Sequence, residues 1–218
     1  MRESIVVINP NSTEACSDAI DTAMQPLRLD GGPAIECVTM NEGPPGIESQ
    51  HDSDSIILPL CDYIRARDND AGAFVIACFS DPGLHAARER TDHPVLGIAE
   101  SAYLTAMTKG EKFGVISILE PSVKRHGRYV RQMGIEARSA GDRAIGLGVV
   151  ELAQEDKVLD CMIETGKALR DEDGADVLIL GCAGMARYRN QVSDAVGLPV
   201  VEPSQSAVAM AMGQLRCG

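Results

Sequence analysis

Residues 72–84 read GAFVIACFSDPGL, an apolar run that ends at Cys78 and leads into a loop and then a helical pattern. Residues 175–186, ADVLILGCAGMA, repeat this order and place Cys182 at the end of the run. Short runs of Val, Ile and Leu without polar alternation are typical of strands buried on both faces of a parallel sheet. Each stretch therefore predicts a buried parallel strand that ends at a cysteine.

Strand and helix patterns alternate along all 218 residues. This alternation predicts an α/β protein in which helices cover both faces of parallel sheets. Besides the two stretches above, the predicted strands are Ser4–Ile8, Ala34–Met40, Val95–Ile98, Phe113–Ser117, Ile135–Ser139 and Val200–Val201.

Two helix starts are predicted from residues that cap helices. Asn11 in NPNST precedes a helical pattern and has Glu14 three residues later, the spacing of a capping box. Asp81, followed by Pro82, matches a capping residue with proline in the first turn. A further helix is predicted as one continuous segment over Ser53–Arg67.

The chain also contains an internal duplication of roughly 105 residues. HPVLGIAESA, from His93, and LPVVEPSQSA, from Leu198, align without gaps. Cys78 and Cys182 are separated along the chain by nearly the same number of residues as these two segments. We therefore predict two pseudo-symmetric lobes, each a parallel, flavodoxin-like sheet flanked by helices, with the active site in the cleft between them. The first lobe spans residues 1–98, completed by a C-terminal helix at 204–218, and the second spans 99–203.

Composition and charge exclude several classes of function. The formal charge of −12 repels phosphate backbones and anionic lipid surfaces, which excludes nucleic acid and membranes as partners. The seven cysteines are odd in number and show no CxxC spacing, and the four histidines show no HxH or HExxH spacing, so no disulfide framework and no metal site is expected. The start, MRESIVVINPNS, has too short an apolar run for a signal peptide, so a cytoplasmic protein is predicted.

The duplicated cysteines predict chemistry at one shared site. Ligands bind beyond the carboxyl ends of parallel strands, where Cys78 and Cys182 lie. Two thiols on opposite sides of one carbon are what a stereoinversion requires, since one removes a proton and the other returns one to the opposite face. Nearby amides are expected to shift the thiol pKa towards neutrality. The alternative interpretation, a buried packing residue, applies to Cys16, Cys37, Cys61 and Cys161, and Cys217 is interpreted as an inert thiol of the tail. For Cys78 and Cys182 the residues alone leave both interpretations open.

Three motifs together resemble the Asp/Glu/hydantoin racemase superfamily over essentially the whole chain: NPNST, CFSDPGL and LGCAGM. The resemblance is closest to the hydantoin and allantoin racemase branch. It implies a cofactor-independent racemase that acts on a small molecule, inverts C5 of a hydantoin-type ring, and forms a homo-oligomer.

The resemblance also implies roles for particular residues. Cys78 and Cys182 would be the catalytic acid and base. The substrate-binding residues implied around them are Asn11, Phe79, Ser80, Ser117, Ala183 and Gly184. Ser117 ends the strand Phe113–Ser117, which corresponds in the second half to the first strand, Ser4–Ile8.

Departures from the family pattern narrow the range of expected substrates and leave alternative functions open. Amino-acid racemases of the superfamily carry Asn-Thr after their catalytic cysteines, whereas Phe79-Ser80 and Ala183-Gly184 follow here, which argues against aspartate or glutamate as substrate. Arylmalonate decarboxylases keep only the second-half cysteine, and both are present here. A maleate cis–trans isomerase, an arylmalonate decarboxylase-like enzyme and a non-catalytic two-lobed binder of small ligands remain alternatives.

Overall fold

The chain forms two parallel four-stranded sheets. The computed structural model describes residues 4–153 and 155–217. The first sheet has the order β2-β1-β3-β4 and the second the order β6-β5-β7-β8. The strands are β1 (Ser4–Asn9), β2 (Ala34–Thr39), β3 (Ala73–Ile76), β4 (Val95–Gly97), β5 (Phe113–Ser117), β6 (Ser139–Ala144), β7 (Val177–Leu180) and β8 (Val200–Val201).

Strand pairing is equivalent in the two sheets. Ile5 of β1 lies opposite Ala73 of β3, and Phe113 of β5 lies opposite Val177 of β7. Every pair of neighbouring strands is parallel. The predicted α/β class with two parallel sheets is therefore confirmed.

Helices connect the strands and cover the sheets. The α-helices are α1 (Glu14–Ala23), α2 (Gln50–Ser55), α3 (Ile57–Ala66), α4 (Leu84–Arg88), α5 (Ile98–Met107), α6 (Glu120–Gln132), α7 (Glu155–Asp171), α8 (Arg189–Val196) and α9 (Pro203–Cys217). Short 3-10 segments lie at Gln25–Leu27, Glu136–Arg138, Val150–Ala153 and Ala183–Tyr188.

A central core lies between the two sheets. Alternate residues of β1, Ile5 and Val7, and their counterparts Phe113 and Val115 of β5 pack into one buried cluster together with α5 and α9. The opposite face of the first sheet packs against α3 and α4, and that of the second against α7 and α8. Side chains of a strand alternate between faces, so aliphatic runs fill both layers at once.

Helices α5 and α9 pack against the strands of both halves. Helix α9 contacts β1, β3 and β4 of the first sheet, and α5 contacts β5, β7 and β8 of the second as well as β4. The predicted boundary at residues 98 and 99 stays a prediction. No helix in the described ranges is both long and apolar enough to cross a membrane.

Two sequence-based assignments of secondary structure were wrong. The helix predicted over Ser53–Arg67 begins earlier, where Ser49 and Asp52 form a capping box, and is broken between α2 and α3. Pro59 causes the break because it has no N–H to donate to Ser55 and its ring crowds that carbonyl. The strand predicted over Ile135–Ser139 instead begins at Ser139, since a 3-10 turn occupies the preceding three residues.

The two predicted caps were also wrong. Thr13 is the N-cap of α1, and Asn11 Oδ1 accepts from the Thr13 amide at 2.9 Å. Helix α4 follows Gly83, whereas the Asp81 carboxylate accepts from two amides at the start of α5, those of Ala99 (2.9 Å) and Glu100 (2.8 Å). Asp81 therefore ties the loop after Cys78 to a helix that lies next to it only in the folded chain.

This contact requires a glycine at position 97. A Cβ added to Gly97 would lie 2.2 Å from Cγ of Asp81. We expect Gly97→Ala to lower the free energy of unfolding by about 1–3 kcal/mol, because the carboxylate or the strand must shift. The measurement is urea denaturation followed by circular dichroism. The matched control is Gly213→Ala in α9, where the added Cβ meets no atom within 4 Å. That variant is expected to gain about 0.5–1 kcal/mol, and a Gly97→Ala protein as stable as the parent would contradict the role of Asp81.

Candidate active site

Both predicted cysteines follow the third strand in the order of their sheets. Cys78 comes two residues after β3 and Cys182 two residues after β7. The amide of Ala77 donates to the carbonyl of Ile8, and the amide of Gly181 donates to the carbonyl of Ile116, both at 2.8 Å. These equivalent hydrogen bonds extend each pairing by one residue and fix the backbone just before each thiol.

The two thiols line one cavity between the sheet ends. It encloses about 460 Å³, counting its open mouth. Its walls come from both halves of the chain and comprise Asn9, Asn11, Cys16, Ile20, Ile47, Ala77, Cys78, Phe79, Ser80, Ile118, Ser122, Arg125, His126, Val149, Gly181, Cys182, Ala183 and Gly184. Seven of the eight predicted site residues therefore meet in one place.

Ser117 is the exception. It is fully buried and does not line this cavity. Its hydroxyl donates to Asp142 and lies 3.1 Å from Nδ1 of His126, which in turn lies 2.8 Å from Asp142 Oδ2. The structure thus places Ser117 behind His126, where it supports a residue of the cavity wall.

Burial dominates the electrostatics of Cys78. Loss of water around the thiol raises its pKa to about 11. The amide and the hydroxyl of Ser80 both donate to the sulfur and act to lower the pKa, as does the positive charge of Arg125, whereas Asp81 acts to raise it. The oriented donors expected from the sequence are present, but desolvation outweighs them.

Cys182 has a similar amide contact but different charged neighbours. Burial again contributes most and raises its pKa to about 12, with Cys16 and Cys78 adding to the rise. The amide of Gly184 donates to the sulfur and opposes the shift. The prediction that the thiols shift towards neutrality was therefore wrong, because burial disfavours the charged thiolate.

Asparagines close the side of the cavity formed by the loop before α1. Nδ2 of Asn9 donates to Oδ1 of Asn11 at 3.1 Å and to Oγ of Ser17 at 3.0 Å. The Asn11 side chain also donates to the sulfur of Cys16, whose pKa burial nevertheless raises. Asn11 is thus held rigidly at the cavity wall by buried partners.

Sequence reasoning missed the residues that α6 contributes. Arg125 and His126 are buried and line the cavity beside Ser122. The His126 ring packs edge-on against Phe79, with ring centroids 4.9 Å apart. The sequence analysis considers the histidines for a metal site and finds no ligand spacing, and the polar residues Arg125 and His126 in KRHGRYV (124–130) are not expected on the buried face of an amphipathic helix. The sequence also took Cys16 as a packing residue, whereas it reaches the cavity.

Acid and base groups dominate this site. No three His, Cys, Asp or Glu side chains within residues 4–153 and 155–217 are grouped so as to hold a metal ion. The two carboxylates at equivalent helix starts are engaged elsewhere, since Glu202 accepts from the amides of Ser204 and Gln205 and Glu100 pairs with Arg88. Among the groups of the cavity that can carry a proton, Cys78 and Cys182 are the two that follow equivalent strands, and each has an amide donor beside it.

Comparison with known proteins agrees with this arrangement. A hydantoin racemase from Paenarthrobacter aurescens is 36% identical over 218 residues, covering 98% of this chain and 92% of that protein. An allantoin racemase from Klebsiella pneumoniae has a TM-score of 0.91 at 33% identity, covering 99% of this chain and 89% of that one. An allantoin racemase from Pseudomonas fluorescens has a TM-score of 0.94 at 28% identity, covering 99% and 92%.

The family model described as Asp/Glu/Hydantoin racemase matches residues 5–211, which is nearly the whole chain. The named relatives are racemases, and racemases are isomerases, so the predicted enzyme class is confirmed. With two equivalent parallel sheets, a cysteine after the third strand of each, and sequence similarity along its full length, this chain belongs to the Asp/Glu/hydantoin racemase family.

Proposed function

We propose that this protein inverts C5 of a hydantoin-type ring, in a 5-substituted hydantoin or in allantoin, by proton transfer between Cys78 and Cys182. The observation that carries the proposal is the pair of thiols at equivalent strand ends on one cavity. The names of its relatives, hydantoin racemase and allantoin racemase, support the same ring as substrate.

The proposed reaction is a balanced exchange of protons. One cysteine, as the thiolate, takes the hydrogen of C5, and the electron pair left behind spreads into the adjacent ring carbonyl. The other cysteine, as the thiol, gives its proton to the opposite face of the same carbon. The thiol and the thiolate have then exchanged places, and no proton is gained or lost. The neighbouring carbonyl makes the C5 hydrogen acidic enough that the proposal needs no electron-sink cofactor.

Backbone amides beside each thiol are suited to hold the ring carbonyls. Phe79 and Ala183 directly follow the two cysteines, and both residues line the cavity. Donors aimed at a developing oxyanion stabilise the transition state more than the ground state. We assign to them the oxygen that gains charge as the C5 proton leaves, and to Asn11 the polar atoms on the other side of the ring.

A panel of substrates tests the function. Decay of optical rotation is followed for several 5-substituted hydantoins and for allantoin, with non-enzymatic racemisation subtracted. We expect enzyme-dependent decay for at least one of them. Loss of maleate absorbance without any such decay would instead support a cis–trans isomerase, and no turnover of any compound would support a non-catalytic binder.

Serine variants in deuterated water test the two-cysteine mechanism. We expect Cys78→Ser and Cys182→Ser each to lose racemisation, because each leaves one face of C5 without an acid or base. A variant that keeps one thiol can still exchange deuterium into one enantiomer, which proton NMR detects. Cys161→Ser, on α7 and away from the cavity, is the matched control and should racemise normally. Full racemisation by Cys78→Ser would rule the mechanism out.

The raised thiol pKa values predict the pH dependence. With pKa values of about 11 for Cys78 and 12 for Cys182, both groups are protonated near neutrality, and the required thiolate becomes more abundant as the pH rises. We expect kcat/KM to rise about tenfold per pH unit between pH 7 and 9. A profile that is flat over this range would show that neither thiol controls the rate in its ionised form.

The support of His126 by Asp142 yields a further prediction. Asp142→Asn removes the charge that holds the imidazole at the cavity wall, so the ring is no longer fixed against Phe79. We expect kcat/KM to fall by about 10- to 100-fold, the cost of a small misplacement of site residues. The control is Asp173→Asn, which disturbs the Arg143 pair at the surface. Equal activity of the two variants would contradict a role for this support.

Homo-oligomerisation and a cytoplasmic location stay predictions. Sedimentation equilibrium decides the first and cell fractionation the second.

A further inference from the structure

The guanidinium of Arg125 is a buried cation without a carboxylate partner. The residue is 8% exposed. Its Nη1 donates to the carbonyl of Glu48 at 2.7 Å, its Nη2 to Oγ of Ser122 at 3.1 Å, and its Nε to Oγ of Ser80 at 3.4 Å. It forms no salt bridge with a carboxylate of the described residues. Burying an unpaired charge costs free energy, so an anionic partner is expected nearby.

Ser80 connects this cation to Cys78. Its hydroxyl accepts from Nε of Arg125 and donates to the sulfur of Cys78. Donors in a chain of hydrogen bonds polarise one another, so a hydroxyl that accepts from a cation is a stronger donor to the next atom. The positive charge of Arg125 also acts directly on Cys78. Both effects favour the thiolate of Cys78.

Asp81 opposes Arg125 at Cys78, and of the two charges Asp81 has the larger effect on the thiol. It is buried, and burial raises the pKa of its carboxyl to about 7. Its oxygens accept from the amides of Ala99 and Glu100 and from the hydroxyl of Tyr129 at 3.0 Å. These donors offset its negative charge and direct the carboxylate towards the start of α5.

Among the described residues, none of the groups that act most on Cys182 is a cation. The groups that act on it most are the thiols of Cys16 and Cys78, the carboxylate of Glu48 and the amide of Gly184. Only the amide favours its thiolate. The two halves of the pseudo-symmetric site therefore differ in charge, since the residue that breaks the symmetry comes from α6 and packs beside the first-half loop.

We propose that Arg125, acting through Ser80, is a positioning residue that makes Cys78 the first thiol of the pair to ionise and keeps Cys182 protonated in the ligand-free enzyme. If the proposed racemase reaction holds, Cys78 takes the C5 proton first and Cys182 supplies the replacement. After that turnover Cys182 is the thiolate and Cys78 the thiol, and the enzyme is ready for the opposite enantiomer. Which of the two thiols ionises first is a property of the protein alone and requires no substrate.

The test is alkylation of the full-length protein by brief pulses of iodoacetamide between pH 7 and 12, over the range in which circular dichroism shows that the fold is kept, with the modified peptides resolved by mass spectrometry. The half-maximal pH of the rate is compared for Cys78 and Cys182, because it reports ionisation, whereas the absolute rate also depends on access. We expect the profile of Cys78 to lie at lower pH. Arg125→Gln should move it up by about one pH unit or more, which is about a tenfold slower reaction at pH 8. Arg125→Lys, which keeps the charge, should restore part of the difference.

Controls separate this effect from a loss of structure. Arg131→Gln removes an exposed arginine of the same helix, paired with Glu136 at 3.7 Å, and should leave both profiles unchanged. Ser80→Ala interrupts the connection while Arg125 remains, and should shift only Cys78, in the same direction as Arg125→Gln. It decides the question if Arg125→Gln does not fold.

A lower profile for Cys182, or no shift of Cys78 in Ser80→Ala and in a folded Arg125→Gln protein, would overturn the proposal. Because alkylation is read without substrate, failure of the racemase assignment would leave this result standing, and the reverse also holds.

Discussion

The inner faces of the two sheets are buried against a pair of packed helices, α9 on the first sheet and α5 mainly on the second, and this shared core determines where the strand ends meet. Small side chains make the close approach feasible, with Ala102 and Ala106 on one helix and Ala207 and Ala211 on the other, all buried in the central core. Burying apolar surface contributes roughly 25 cal/mol per Å², so a core that draws on both sheets strongly couples the halves. The carboxyl ends of β3 and β7 therefore open onto one cavity.

The polar groups of that cavity are oriented by buried neighbours. Asn11 is held by Asn9, His126 by Asp142, and Arg125 by three oxygen acceptors. A site prepared in this way does not need to reorganise as charge develops on a substrate, which is how fixed dipoles accelerate reactions. Burial in the same cavity also raises the pKa of both thiols. The packing that fixes these polar groups is therefore also what opposes ionisation of Cys78 and Cys182.

Local sequence predicted the elements that are strongly apolar. Strands such as Phe113–Ser117 and Val177–Leu180 were located to the residue, because an aliphatic run of this length is explained by a strand buried on both faces. Strand β6, SAGDRA, was misplaced because it is an edge strand with polar side chains, and Arg143 within it pairs with Asp173. Residues 53–67 show helical periodicity throughout and therefore predict one continuous helix, although Pro59 lies inside the segment.

The sequence by itself determined the class of fold and the positions of Cys78 and Cys182 just after two buried strands, since aliphatic periodicity and a repeated motif are local properties. Tertiary structure alone decided that Arg125 and His126 face the thiols, because α6 lies more than forty residues from Cys78 along the chain and meets it only through packing. It also decided that Asp81 caps α5 rather than α4, and that desolvation outweighs the amide donors at each sulfur. Charge and burial at a point in space depend on every segment that packs there, and no single stretch of sequence contains that information.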